Sequence, residues 1–128
     1  MERTAEQIPF YNNFIDQTNQ SQEEIVDFLQ SHPKVKKVFW AYQESTGSNY
    51  TRIAGEHKPG CVVSVEVDGC FKDFYDNLDL LKSPSFGTEF SLCCPYIYLA
   101  HYNLIGNTSG QEKLRHAGLS PELLRLSV

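Results

Sequence analysis

Cys61-Val62-Val63-Ser64-Val65-Glu66-Val67 is the stretch on which the fold turns. Val63, Val65 and Val67 fall on one side of an extended chain, and Val62, Ser64 and Glu66 fall on the other. A period of two built from β-branched residues predicts a half-buried strand with one face on a core. The flanking segments then have to supply the helices that cover it. Directly after it, Asp68-Gly69 turns the chain into a segment in which Phe71, Phe74, Tyr75, Leu78 and Leu81 form one apolar helical face. Asp73, Asp76 and Asp79 lie off that face and read as solvated surface.

Upstream, residues 42–60 contain Ser, Gly, Thr and Asn and end in Lys58-Pro59-Gly60, which reads as a long loop. Val35-Lys36-Lys37-Val38-Phe39-Trp40-Ala41 before it is a predicted strand. Further upstream, Ile8, Tyr11, Ile15, Thr18, Gln22, Ile25 and Leu29 recur at spacings of three and four, the signature of one helical face. Phe14, Val26 and Phe28 widen the stripe, and its middle, from Asp16 to Gln22, is polar and either exposed or bent. Pro9 suits a first turn better than a helix interior, and Ser31-His32-Pro33 ends the helix.

Downstream, Ser83-Pro84-Ser85-Phe86-Gly87 is followed by a short predicted strand at residues 90–94. Residues 96–102 are aromatic and mixed in period, and no element is assigned to them. Ser109-Gly110-Gln111-Glu112 is read as opening a helix that runs to His116, with Gly118 as its C-cap. The chain finishes in the apolar strand Leu123-Leu124-Arg125-Leu126-Ser127-Val128 with no polar tail, so a boundary cut from a longer polypeptide is expected. The order helix, strand, strand, helix, strand, helix, strand predicts an α+β fold, with helices packed on a small, mainly antiparallel sheet.

Composition narrows the function classes. The 128 residues suit one domain with a real core. A net charge of −5 argues against a basic face for nucleic acid or anionic membrane, so neither is expected as a partner. No apolar run approaches the roughly 20 residues that span a bilayer. The residues after Met1 show no signal-peptide pattern, and a cytoplasmic location is expected. The four cysteines, Cys61, Cys70, Cys93 and Cys94, have no zinc-ligand spacing, and no metal site is expected. Adjacent Cys93 and Cys94 would point to opposite faces of a strand, and the ordinary reading of all four is reduced, packed thiols. A thiol enzyme using Cys93 or Cys94 is the less favoured alternative.

Catalytic motifs are missing. There is no G-x-S-x-G elbow, no G-x-G-x-x-G and no phosphate-binding P-loop, and the histidines at 32, 57, 101 and 116 make no ligand pair. Two features stand out. One is the small-residue turn Ser85-Phe86-Gly87-Thr88, and the other is Arg125, a lone cation in an apolar strand. Facing solvent, Arg125 is an ordinary surface charge; facing a cleft, its planar fork is suited to gripping a carboxylate with two hydrogen bonds.

Those features belong to a wider resemblance. Ile25-Val26-Asp27-Phe28-Leu29-Gln30-Ser31-His32-Pro33-Lys34-Val35 and Gly60-Cys61-Val62-Val63-Ser64-Val65-Glu66-Val67 resemble two conserved stretches in the C-terminal domain of the Cys/Met-metabolism, or trans-sulfuration, family of pyridoxal-phosphate (PLP) enzymes. Ser85-Phe86-Gly87-Thr88 with Ser91-Leu92, and Leu124-Arg125-Leu126-Ser127-Val128, are similar to two more, in the same order and with matching gaps. The variant looks most like cystathionine γ-synthase.

The resemblance implies the small C-terminal domain of a fold-type I PLP enzyme, with residues 1–31 as a long interdomain helix and residues 32–128 as the α+β domain. It implies a lyase or transferase of sulfur amino-acid metabolism, working by γ-replacement or γ-elimination. By the same resemblance Arg125 matches the arginine that binds the substrate carboxylate, and Ser85 lines the active-site cleft. Gly87 and Thr88 would line the cleft too, although the family usually has a small residue where Thr88 stands. Pro84 stands where relatives that handle cystathionine often carry a glutamate, and Phe90 replaces another glutamate. The Schiff-base lysine of the family lies in the large PLP-binding domain. The chain alone is therefore expected to hold no catalytic residue, to bind no PLP covalently and to be inactive. The large domain and, in a full-length tetramer, further copies are the implied partners. A free-standing small-ligand or protein-interaction module without catalysis is the alternative.

Overall fold

The computed structural model describes residues 2–128, with side chains from residue 11 onward. Eleven elements follow one another: α1 (Glu2–Ser31), β1 (Val35–Phe39), α2 (Gly47–Ala54), β2 (Val62–Val67), α3 (Phe71–Asn77), β3 (Leu81–Lys82), β4 (Leu92–Pro95), α4 (Tyr96–Ala100), α5 (Tyr102–Ile105), α6 (Thr108–His116) and β5 (Leu124–Ser127). The strands form one sheet in the order β1-β2-β5-β4-β3. Its neighbours run antiparallel except for β3 beside β4, which are parallel. The architecture is α+β, as expected.

The alternation of β2 separates the two faces of the sheet. On one face Val65, Val67, Cys93 and Leu124 join Phe71 of α3 in a buried cluster, with Leu29 of α1 and Phe74 of α3 packed on it. On the opposite face a second cluster, Ile97, Leu114 and Leu123, collects Phe39, Tyr96, Leu104 and Leu119. The sheet is therefore covered by α1 and α3 on one side and by α4, α5 and α6 on the other. β1 reaches the first face by an irregularity: Val35 pairs with Val67 and Val38 with Val65, with a register shift between Val35 and Lys37. The two valines stand three positions apart, where strict alternation puts same-side residues two or four apart. The bulge at Lys36 absorbs the extra residue and keeps both on the core.

Several expectations are corrected. Residues 42–60 are not one loop, because α2 lies within them. Its polar composition conceals an aromatic anchor: Tyr42 and Tyr50 meet edge to face with ring centroids 5.2 Å apart. The Tyr42 hydroxyl also donates to the Gly55 carbonyl at the helix end. Gly47 approaches Tyr42 so closely that a Cβ there would lie 3.0 Å from its backbone.

The long helix starts at Glu2, so Pro9 lies inside it and leaves the Ala5 carbonyl without its usual donor. Ile8 of the expected stripe lies outside the described side chains. The polar middle of that helix is not simply exposed: Asn19 and Gln22 are buried, while Tyr11, Phe14 and Ile15 are exposed. The Asn19 side chain accepts a hydrogen bond from the Gly60 N–H at 3.0 Å, so this polar position ties the helix to the start of β2.

The helix after Gly69 stops at Asn77 rather than reaching Leu81, which enters β3 and is exposed. The Asn77 amide donates to the Asp73 carbonyl and closes that last turn. The strand expected at 90–94 begins at Leu92, with Phe90 exposed. The last helix is capped by Asn107, not by Ser109: the Asn107 Oδ1 accepts from the Gly110 N–H at 2.7 Å. It ends with Gly118 in the left-handed region, as expected of a glycine after a helix. Leu119 N–H reaches back to the Leu114 carbonyl, and Gly118 N–H to that of Arg115. Residues 96–102 form α4, enter α5 and pack on the second cluster through Tyr96 and Ile97.

Candidate functional site

The register of the three central strands builds a row of side chains across the second face. Phe39 of β1 pairs with Ser64 of β2, Ser64 with Arg125 of β5, and Arg125 with Cys94 of β4. Arg125 is therefore not on the outer edge of the sheet but in its middle strand. Its neighbours Leu124 and Leu126 point into the other face, where both pack in the first cluster. The odd positions of the terminal strand face the α4–α6 side, and that parity follows from the apolar residues on either side of the arginine.

The guanidinium carbon of Arg125 sits 3.5 Å from the ring centroid of Tyr96. Its Nε is buried with no hydrogen-bond partner, and Arg125 forms no ion pair among the described residues. A cavity of about 370 Å³ opens on it, with Ser64, Tyr96, His101 and Lys113 among its lining residues and apolar walls from Phe39, Leu104 and Leu119. No carboxylate lines this cavity, and two cations do. A positively charged fork with an unmet donor in such a place is complementary to an anion with planar oxygens. Cys94 shares this face, and burial pushes its thiol above the ordinary value, with the Arg125 charge acting in the other direction. Burial likewise pushes the Cys93 thiol up. Both shifts oppose thiolate formation, so neither thiol has the lowered pKa of a nucleophile.

The other residues singled out from the sequence lie elsewhere. Ser85 is exposed, and its backbone N–H donates to the Ser83 hydroxyl. Gly87 holds a φ of 95°, a conformation that favours glycine. Thr88 donates to the Phe90 carbonyl and borders a separate groove of about 170 Å³ with Phe14, Thr18 and Ser21 of α1 and Val128. Arg125 and Thr88 thus border two different cavities. Reading the sequence missed Tyr96, Ser64 and Phe39. Ser64 was legible as the polar member of the strand's second face, but Tyr96 lay in the segment with no period to read.

No group of three or more metal-ligating side chains occurs among the described residues. All seven lysines are exposed. Lys36 pairs with Asp68 at 3.0 Å, Lys37 donates to the Gly118 carbonyl, and Lys72 pairs with Asp76. None is a desolvated amine of the kind that forms a Schiff base with a carbonyl group. No described helix is long and apolar enough to cross a membrane.

No protein-family model matches the chain. The chain is 32% identical over 127 residues to L-2-amino-4-chloropent-4-enoate dechlorinase/desaturase of Streptantibioticus cattleyicolor, covering 98% of this chain and 25% of that protein. It is 32% identical over 117 residues to cystathionine γ-synthase of Neurospora crassa, covering 89% of this chain and 18% of that protein. The chain thus spans about a quarter or less of these curated relatives. The chain belongs to the cystathionine γ-synthase-like family, as its C-terminal domain.

The fold agrees. The crystal structure of cystathionine γ-lyase from Lactobacillus plantarum complexed with L-serine superposes with a TM-score of 0.68 at 22% identity. That match covers 88% of this chain and 29% of the lyase chain. The α+β unit described above thus shares the fold of the matching part of that lyase. Within this cystathionine γ-synthase-like domain, Arg125 stands in the middle of the sheet, and the 85–88 turn stands at the approach to β4.

Proposed function

We propose that this domain serves a PLP-dependent trans-sulfuration enzyme, and that its share of the work is to hold the α-carboxylate of an amino-acid substrate through Arg125. The complete enzyme carries out γ-replacement or γ-elimination on a sulfur amino acid or an activated homoserine. The observation that carries the reading is the unengaged guanidinium: its Nε is buried without an acceptor, and its cavity holds a second cation and no carboxylate. A buried unmet donor is costly, and a ligand carboxylate supplies the missing acceptor. Ser85 is the second substrate contact of this reading, with Gly87 and Thr88 beside it, all completed by the large domain. The Schiff-base lysine and the cofactor belong to that large domain.

Residues 1–31, of which the first lies outside the described residues, are the interdomain segment in this reading, with α1 as its helix. In its support, Tyr11 to Gln17 are all exposed, and burial on the body begins at Thr18. The complete enzyme is a homo-oligomer, of which this domain is one part.

The test is Arg125→Ala in the complete enzyme. Loss of a charge-assisted, two-point grip is worth a rise in KM of about 10- to 100-fold, with a smaller change in kcat. An unchanged KM overturns the assignment. A second measurement concerns the cofactor: borohydride reduction of the isolated chain with equimolar PLP should leave no single lysine stoichiometrically labelled. One fully labelled lysine, seen by peptide mass spectrometry, places a cofactor site in this chain instead.

A further inference from the structure

We propose that Tyr96 is a positioning residue for Arg125, a rigid aromatic platform that fixes the plane of the guanidinium and leaves its donor edge free for the substrate carboxylate; this rests on the reading of Arg125 given above.

The placement of the ring argues for it. Tyr96 is the first residue of α4 and follows Pro95, the last residue of β4, which pairs with Leu124. The next residue, Ile97, is 2% exposed and belongs to the second cluster. Tyr96 is therefore held between a strand end and a buried anchor. His101 meets its ring edge to face at 5.7 Å and 75°, and the His101 N–H donates to the Ile97 carbonyl at 2.9 Å. Against this braced ring the Arg125 guanidinium lies 3.5 Å from the centroid, well inside cation–π range.

Among the described residues the ring is the one aromatic or charged group recorded against the Arg125 guanidinium. Arg125 makes no ion pair among the described residues, and its Nε has no acceptor. An arginine side chain free to rotate loses up to about 2 kcal/mol of rotamer entropy when a ligand fixes it. Stacking on Tyr96 removes that freedom before the ligand arrives. It also occupies a face of the guanidinium, not its edge, so the fork of N–H groups stays available for two parallel hydrogen bonds. The ring contributes through its face rather than its hydroxyl. Phenylalanine should therefore replace it, and an aliphatic residue of similar bulk should not.

The experiment uses the chain itself, labelled with ¹⁵N-arginine, and the Tyr96→Phe, Tyr96→Leu and Arg125→Gln variants. The first readout needs no ligand. Ring current should shift the Arg125 Nε–H and Cδ protons upfield in the wild type and in Tyr96→Phe, and the shift should vanish in Tyr96→Leu. The second is titration of the complete enzyme carrying the same substitutions with L-methionine, with its methyl ester as the control that lacks the carboxylate. Tyr96→Phe should bind within about twofold of wild type, Tyr96→Leu about 5- to 10-fold more weakly, and Arg125→Gln not measurably. An upfield shift that survives in Tyr96→Leu overturns the platform. So does wild-type affinity in Tyr96→Leu when Arg125→Gln has lost binding, a result that leaves the carboxylate reading intact. Wild-type affinity in Arg125→Gln overturns both.

Discussion

The two faces of the sheet are made by the same strands, often by adjacent residues, yet they do different work. Toward α1 and α3, Val65, Val67, Cys93 and Leu124 exclude water. Toward α4–α6, the row Phe39, Ser64, Arg125 and Cys94 mixes aromatic, hydroxyl, cation and thiol groups beside an open cavity. Leu124 and Arg125 are one residue apart and sit on opposite sides of this division. A strand with period two lets one backbone carry a core and a site at once, because each residue is assigned to a face by parity alone. In the proposed reading, the packed first face holds the second face in place beneath the substrate carboxylate.

The comparison is broken most severely from the core side. Leu124→Ala removes a fully buried side chain and should cost about 2–5 kcal/mol, read from the urea midpoint. Arg125→Leu, one residue on, should change stability by less than about 1 kcal/mol, because the guanidinium leaves a buried donor unmet. A large loss at Arg125 and a small one at Leu124 would invert the assignment of the faces.

The helical cover of the second face is next. In Gly110→Ala the added Cβ would stand 2.4 Å from the Leu104 carbonyl oxygen, a backbone atom that cannot swing away. The expected cost is about 1–3 kcal/mol of thermal or denaturant stability. A neutral result would mean that α5 and α6 do not approach as closely as described.

A smaller effect is alkaline. Burial pushes the Cys93 and Cys94 thiols above their ordinary value of 9.0, so the folded state keeps protons that the unfolded chain releases. Unfolding then gives up protons as pH rises past that value, and stability present below it is progressively lost above it. The urea midpoint should fall between neutral pH and about pH 10, and a Cys93→Ala, Cys94→Ala double variant should show a shallower fall. Equal slopes in the two proteins would refute the burial account.

The smallest effect has the opposite sign. Gln22 is fully buried in α1, and neither its amide nitrogen nor its oxygen has a partner. Gln22→Leu should therefore stabilise the chain by about 1 kcal/mol, measured by thermal unfolding. Destabilisation would mean that the amide is engaged in solution.

The division between legible and hidden features follows the range of the forces involved. Alternation in β2, the stripe around Phe71 and Phe74, the helix stop at Ser31-His32-Pro33 and the glycine after α6 are local, and each was readable from its own neighbours. The sequence pattern opens α6 at Ser109, two residues after the true cap, because Asn107 and Ser109 are both good capping residues and only the backbone geometry chooses between them. Helix α2 was hidden because what holds it is not its own composition but the packing of Tyr50 against Tyr42. Of the stripe that holds Tyr11, Ile15 and Gln22, the polar Gln22 is buried while Tyr11 and Ile15 are exposed, because the path of α1 over the sheet, not its pattern, decides which side is covered.

The sequence by itself determined the class of the fold, the parity that puts Arg125 opposite the core, and the resemblance to trans-sulfuration enzymes, since strand period, turn chemistry and motif spacing are all written in consecutive residues. Only the tertiary structure decided that β5 lies between β2 and β4, that Arg125 stacks on Tyr96, and that its cavity is separate from the groove beside Thr88. Strand order and side-chain stacking join residues far apart along the chain, and the choice among such pairings is made by packing across the whole domain rather than by any local preference.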